Sequence, residues 1–281
     1  MNTDSEYLCF VNGDQECNVS AKDRGLAYGH GLFETVKVHS KIAPLLEYHI
    51  QRLINGAERI GIEVSDALVR QYFSQLLRAS PGEGIIKIIV TAGISPAGYA
   101  YTKSGLVSYI LQWFPMTTNY FLHKKRGISL KNCKHRLTSS SVLAGIKHLN
   151  RLDQVIARAE WSDEYYDGLM LDQSGCVVEC VSSNIFLSKD GVWYTPDTLE
   201  CGVTGVMRRY IIDDLIPSIC GKVKEGKLSM DALISADEVF VCNSINGIFP
   251  VVSLEDSCSW VVGTGTAKLQ NALYSAFPCY R

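Results

Sequence analysis

Lys147 stands in the run Leu143-Ala-Gly-Ile-Lys-His-Leu-Asn-Arg-Leu152, one amine among mostly apolar neighbours. Partial removal from water disfavours the ammonium form, so such a lysine presents a neutral, nucleophilic amine able to condense with a carbonyl group. The same residues also describe a lysine at a strand edge, its stem along apolar surface and its head in solvent. Three other stretches carry polar groups in patterns with chemical meaning. In Cys201-Gly-Val-Thr-Gly-Val-Met-Arg-Arg, glycines flank Thr204 just before a helical pattern. Such a turn frees backbone N–H groups and adds a hydroxyl, which suits a phosphate; the alternative is an ordinary loop with Thr204 as N-cap. In Val177-Val-Glu-Cys-Val-Ser-Ser-Asn, one carboxylate, Glu179, lies inside an apolar strand, with Ser182, Ser183 and Asn184 at its break. An unpaired ion there is costly, so a partner is expected, either a protonated ring nitrogen or an Arg or Lys of the fold. In His49-Ile-Gln-Arg, Arg52 shares a helix face with His49 and reaches either an anion or solvent.

These residues must be held by regular elements, and the pattern supplies them. Residues 7–11 read as a short strand ended by Asn12-Gly13, and 31–39 as a second strand. Apolar residues at Leu45, Leu46, Leu53, Ile54, Ala57 and Ile60 predict a helix over 44–61, and a second helix runs over 66–79 to Ser80-Pro81-Gly82. The runs 85–90 and 106–114 read as buried strands. Residues 115–119 have no periodicity and form a connector. Beyond it come two hairpins, 168–179 and 184–195, and helices over 151–161, 206–215, 230–236 and 266–276. The expected organisation is two mixed α/β domains: a small one over 1–114, a linker over 115–119 and a larger one over 120–281.

Bulk properties narrow the function classes. The chain has 281 residues, 47% of them hydrophobic and 20% charged, with a net charge of −2 and no block of like charge. That balance argues against a nucleic-acid stripe or a polybasic membrane patch. No apolar run is long enough for a membrane span, and the polar, acidic start is unlike a signal peptide, so a cytoplasmic protein is expected. Ten cysteines without a Cys-x-x-Cys pair read as reduced packing residues rather than metal or redox sites.

Taken together, these segments resemble the fold-type IV pyridoxal-phosphate enzymes, the class IV aminotransferase-like family. It includes branched-chain and D-amino-acid aminotransferases and 4-amino-4-deoxychorismate lyases. The order along the chain is similar: Asp23-Arg-Gly-Leu-Ala-Tyr-Gly-His-Gly-Leu-Phe-Glu-Thr-Val-Lys-Val, then His49-x-x-Arg52, Lys147, Glu179 with Ser182-Ser183-Asn184, and the Gly-Val-Thr-Gly turn. Ala236-Asp-Glu-Val-Phe-Val-Cys-Asn243 and Ile248-Phe-Pro-Val251 complete it, so the likeness covers nearly the whole chain. The resemblance implies an α+β (mixed α/β) two-domain fold, with a small α/β domain and a larger barrel-like one, in a homodimer with active sites near the interface. It further implies pyridoxal 5'-phosphate held on Lys147 as a Schiff base. Glu179 would face the ring nitrogen; Arg52, Thr204, the backbone at Val203 and Ser183 would hold the phosphate.

The run around Lys147 looks most like that of the aminodeoxychorismate lyases, which implies loss of pyruvate from 4-amino-4-deoxychorismate to give 4-aminobenzoate. Lys147 would then also be the base at C4, and Thr35 would hydrogen-bond to the substrate or the leaving group. A D-amino-acid or branched-chain aminotransferase is the rival of the same fold, and a catalytically silent dimer that binds the cofactor is the rival of another class. Two departures bear on the substrate. Ala92 and Ala97 stand where that family carries arginines, although carboxylate recognition favours Arg. Lys37, Lys103, Arg136 or a residue of a partner chain compensates, or the substrate differs. His30 stands where an acidic residue is more usual.

Overall fold

The computed structural model describes residues 7–95, 98–101, 106–116, 121–219 and 221–281. The chain forms two compact units, residues 1–118 with 146–150, and residues 119–145 with 151–281.

In the first unit, β1 (Leu8–Val11), α1 (Arg24–Tyr28), β2 (Gly31–Val38), α2 (Leu46–Arg59), α3 (Asp66–Ala79), β3 (Gly84–Thr91) and β4 (Ser108–Phe114) follow one another. The strands make an antiparallel sheet in the order β1-β4-β3-β2. Period-two alternation sends Leu32, Val36, Val38, Ile86, Ile88, Val90, Leu111 and Trp113 to one face. There they share a core with Ile50, Leu53 and Ala57 of α2 and Val69, Phe73 and Leu76 of α3. Burial of each such side chain contributes roughly 1.5–3 kcal/mol, which outweighs the weak intrinsic preferences of single residues. Ser65 caps α3, its Oγ accepting from Leu68 N at 3.3 Å.

A fifth stretch joins this sheet from far along the chain. Phe33 N donates to Lys147 O and Leu149 N to Gly31 O, both at 3.0 Å, with Leu32 opposite His148. Ile146 enters the core beside Leu32. A boundary at 115–119 between two consecutive segments makes no provision for this excursion; residues 117–119 lie outside the described residues.

The second unit runs α4 (Phe121–Arg126), β5 (Ile128–Leu137), α5 (Leu152–Arg158), β6 (Asp167–Asp172), β7 (Val177–Cys180), β8 (Asn184–Lys189) and β9 (Val192–Pro196). Then α6 (Val206–Tyr210) continues through a π-helical turn, Ile211–Leu215, into α7 (Ile216–Ile219). After it come β10 (Val223–Gly226), α8 (Met230–Ile234), β11 (Glu238–Asn243), β12 (Gly247–Leu254), β13 (Cys258–Ser259), α9 (Thr264–Ala276) and a 3-10 turn at Pro278–Tyr280. Its sheet has the order β10-β9-β8-β11-β12-β5-β6-β7, with β13 added on β12. The two ends of this sheet meet, because Val177 N of β7 donates to Leu228 O just after β10 at 2.8 Å. The sheet is therefore curled, as the resemblance implied. β5 carries Lys131, Asn132, Lys134, His135 and Arg136 between buried Ile128, Leu130, Cys133 and Leu137, and a strand was not expected there.

Among the described residues no helix is long and apolar enough to cross a membrane, and no group of His, Cys, Asp or Glu is placed to hold a metal ion. Cys9, Cys180 and Cys242 are buried free thiols, as their apolar surroundings suggest; Cys220 lies outside the described residues.

Candidate active site

In the first unit the sheet positions an amine. Cross-strand partners point to the same face, so the pairing of residues 146–149 with β2 puts Lys147 beside Phe33, away from the core face of Leu32. Lys147 Nζ lies 4.5 Å from the centre of the Phe33 ring, and the residue is half-buried. Strand alternation sends Thr35, two residues on, to this same face.

On the core face of β2, Glu34 is buried at 1% exposure. Its Oε1 accepts from Arg52 Nε at 2.7 Å, and its Oε2 accepts from an Arg52 Nη and from His49 Nδ1 at 2.6 Å. Sequence spacing placed His49 and Arg52 on one face of α2; the carboxylate that gathers them was missed. Burial works against ionisation of Glu34. The Arg52 charge and the hydrogen bonds from His49 and Arg52 prevail and hold its carboxyl down to about 2. Burial also lowers the His49 pKa, helped by the charges of Arg52 and Lys147 and opposed by Glu34. His49 is therefore a neutral imidazole whose proton sits on Nδ1. Its buried Nε2 has no hydrogen-bond partner.

His30 is tied to Arg24 and to the end of α2. Arg24 Nε donates to His30 Nδ1 at 3.2 Å, which leaves the imidazole proton on Nε2, facing Ile60 O at 3.0 Å. The same guanidinium holds the loop after β3, donating to Ser95 Oγ and Gly98 O at 2.9 Å and to Tyr99 O at 3.0 Å. Ala92 packs partly buried against the first unit's core. Ala97 and Lys103 lie outside the described residues.

The second unit holds the remaining candidates. Glu179, on β7 and 4% exposed, accepts from Val203 N at 2.9 Å and from Asn184 Nδ2 at 3.4 Å; Asn184 Nδ2 also donates to Val203 O at 2.9 Å. The backbone N–H of Val203 is thus directed at this carboxylate. The close approach depends on glycine. A Cβ on Gly202, whose φ is +81°, would lie 3.3 Å from Glu179 Oε2, and one on Gly205 would lie 1.9 Å from Asn184 Oδ1. Gly205, not Thr204, is the N-cap residue of α6. The Thr204 hydroxyl pairs instead with Thr198 Oγ1 at 2.8 Å, and its N–H donates to Gly145 O at 3.0 Å. Ser183, 6% exposed, bonds through its hydroxyl to buried Asp167 and accepts from Asn243 Nδ2 at 3.2 Å. Ser182 Oγ donates to the same Asp167 at 2.8 Å, and burial raises the pKa of that carboxyl. Arg136 Nη1 donates to Cys133 O at 2.6 Å.

These donor types fit a ring aldehyde that carries a pyridine nitrogen and a phosphate. Lys147 supplies an amine, Glu179 a buried carboxylate approached closely by Gly202, and Arg52 and Thr204 a cation and a hydroxyl. Residues 31–254 match the model of the amino-transferase class IV family. The aminodeoxychorismate lyase of Vibrio harveyi is 30% identical over 272 residues, covering 95% of this chain and 99% of that protein. The D-alanine aminotransferase of Bacillus licheniformis is 27% identical over 93% of this chain and 92% of its own length. The crystal structure of the 4-amino-4-deoxychorismate lyase of Pseudomonas aeruginosa superposes with a TM-score of 0.93 at 43% identity, covering 96% of this chain and 99% of that one. The chain belongs to the class IV aminotransferase family and has its fold-type IV architecture.

Proposed function

We propose that this protein is a pyridoxal-phosphate-dependent lyase that converts 4-amino-4-deoxychorismate into 4-aminobenzoate and pyruvate. The observation that carries this reading is the placement of the Lys147 amine on the Phe33 side of the sheet, in a chain so similar to lyases of that name. When bound, pyridoxal phosphate supplies an electron-accepting ring that stabilises the charge left at C4 of the substrate once its proton is removed.

The residues divide the work. Lys147 would anchor the cofactor, and its amine would take the C4 proton of the substrate as general base. The C–O bond to the enolpyruvyl group breaks on the adjacent carbon, its electron pair leaves with that group, and the ring becomes aromatic. Protonation of the departing enolpyruvate gives pyruvate. Glu179 would hold a proton on the pyridine nitrogen, and the Val203 N–H and Asn184 amide fix where that carboxylate points. Arg52, oriented by Glu34, would hold the phosphate with the Thr204 hydroxyl, whereas the Val203 N–H stays committed to Glu179 and the Ser183 hydroxyl to Asp167. Thr35 hydrogen-bonds to substrate or leaving group.

The product assigns the enzyme to the supply of 4-aminobenzoate for folate synthesis. It works as a homodimer, a reading supported by the apolar side chains that α5 leaves exposed, Leu152 (72%), Val155 (61%) and Ile156 (51%). The test supplies enzymatically generated aminodeoxychorismate to the holoenzyme and follows 4-aminobenzoate and pyruvate. Equal amounts of both are expected. Transamination of a D-amino acid or a branched-chain amino acid with neither product formed would replace the lyase by an aminotransferase.

A further inference from the structure

The register of the first sheet brings a second lysine to the face that carries Lys147. Lys87 of β3 is the direct cross-strand partner of Thr35, and Ile89 is the partner of Phe33. Partners share a face, so Lys87, Thr35, Phe33 and Lys147 all project from the side opposite the core residues Ile86, Ile88 and Val36. Lys87 Nζ lies 5.4 Å from the centre of the Phe33 ring, the same ring that Lys147 Nζ approaches at 4.5 Å. One aromatic ring therefore sits between a reactive amine and a second cation.

Lys87 is half-buried, and among the described residues no carboxylate pairs with it; its ammonium rests on the Phe33 ring alone. A half-buried lysine rests its stem on apolar surface and keeps its charged head available to an arriving anion. This pattern differs from Lys131, which pairs with Glu255 at 2.5 Å, and Lys189, which pairs with Asp237 at 3.2 Å. A cation left without an anion, facing the reactive amine across one ring, is suited to an anion that arrives with the substrate.

We propose that Lys87 binds the carboxylate on the ring of the substrate, remote from the amino group that Lys147 engages. The substrate class is a cyclic primary amine with a carboxylate at the opposite end of its ring. The lysine ammonium is a compact charge that takes a carboxylate without the two-pronged geometry an arginine imposes. It thereby supplies a charge that Ala92 lacks. The proposal rests on the lyase reading for the identity of the substrate, but its central claim concerns a carboxylate and is tested separately.

The experiment uses the holoenzymes of wild type, Lys87→Gln and Lys87→Arg, matched for thermal stability and cofactor content. Binding of 4-aminobenzoate and of its neutral analogue 4-aminobenzamide is followed through the cofactor absorbance, alongside turnover of aminodeoxychorismate. Wild type is expected to prefer the carboxylate. Lys87→Gln is expected to weaken 4-aminobenzoate binding and raise KM roughly 10- to 100-fold, with kcat changed far less and amide binding unaltered. Lys87→Arg is expected to restore most of the preference. An unchanged preference in Lys87→Gln, or a loss confined to kcat, overturns the assignment. If wild type shows no lyase turnover but its preference for the carboxylate disappears in Lys87→Gln, Lys87 stands and the lyase reading falls.

Discussion

Arg52 is held along one edge by Glu34, its Nε donating to Oε1 at 2.7 Å and an Nη to Oε2, while the rest of the guanidinium is turned away from that carboxylate. The carboxylate is fully buried and accepts His49 Nδ1 as well, so three donors converge on one anion. Such a pair fixes direction more than it adds stability, because desolvation of both ions offsets much of their attraction. Its role here is to aim Arg52.

Removing one member leaves the other uncompensated. Glu34→Gln is expected to destabilise the apoprotein by about 3 kcal/mol and to weaken pyridoxal phosphate binding as Arg52 loses its fixed orientation. Urea unfolding and cofactor titration check the two effects separately. A loss of stability with unchanged cofactor affinity would show that Arg52 does not hold the phosphate.

Acid should act on the same cluster in two stages. His49 and Glu34 both have folded pKa values below their ordinary ones, so the unfolded chain binds more protons than the folded chain as pH falls. Their contribution is complete above the ordinary histidine value of 6.5 and begins to be lost below it. A second loss runs from the ordinary glutamate value of 4.5 down to about 2. Unfolding midpoints of the apoprotein measured from pH 8 to pH 4 should fall, and His49→Gln should remove the earlier stage. A wild-type profile that is flat between pH 7 and pH 5 would contradict a neutral buried His49.

Gly205 offers a steric test in the second unit. A methyl group there would meet Asn184 Oδ1 at 1.9 Å and push the amide off Val203 O. Gly205→Ala is expected to cost roughly 1–3 kcal/mol and to shift the cofactor absorbance, since Asn184 and Val203 together set the position of Glu179. Thermal melting and the absorbance spectrum report the two effects. A shifted melt with an unshifted spectrum would confine the damage to packing.

Borohydride reduction of the holoenzyme should fix pyridoxal phosphate on the peptide that contains Lys147. Lys147→Ala should abolish both that label and turnover while leaving the fold intact by circular dichroism. A label on Lys87 instead would exchange the roles assigned to the two amines.

Much of this could be read along the chain where the signal is local. The predicted helix over 66–79 coincides with α3 because Ser65 caps one end and Ser80-Pro81 stops the other. The helix predicted over 44–61 is trimmed to Leu46–Arg59 by Leu45, which adopts a left-handed conformation, and by the turn at Gly61. β5 was not legible, since its charged residues interrupt the apolar alternation and its burial depends on β6 and β12 beside it. The candidate residues Lys147, Arg52, Glu179 and Thr204 stood out by type and order. Glu34 and Lys87 did not, because Glu34 is defined by His49 and Arg52 of α2 and Lys87 by strand register against Thr35 and Phe33. Glu179 found an amide and an asparagine among its partners, which no spacing rule announces.

The stretch 146–149 along β2 has a consequence for how the protein is made. Until those residues leave the ribosome, the Gly31–Phe33 edge of the first sheet has its N–H and C=O groups open to any other strand. The first unit cannot complete its sheet in the order in which it is translated. It must wait for part of the second unit to be synthesised, and the carbonyl that closes the sheet on Phe33 belongs to Lys147, the residue that bears the amine. A nascent chain paused before residue 146 is therefore the species most exposed to mispairing, and the strand that arms the site is also the one that ends that exposure.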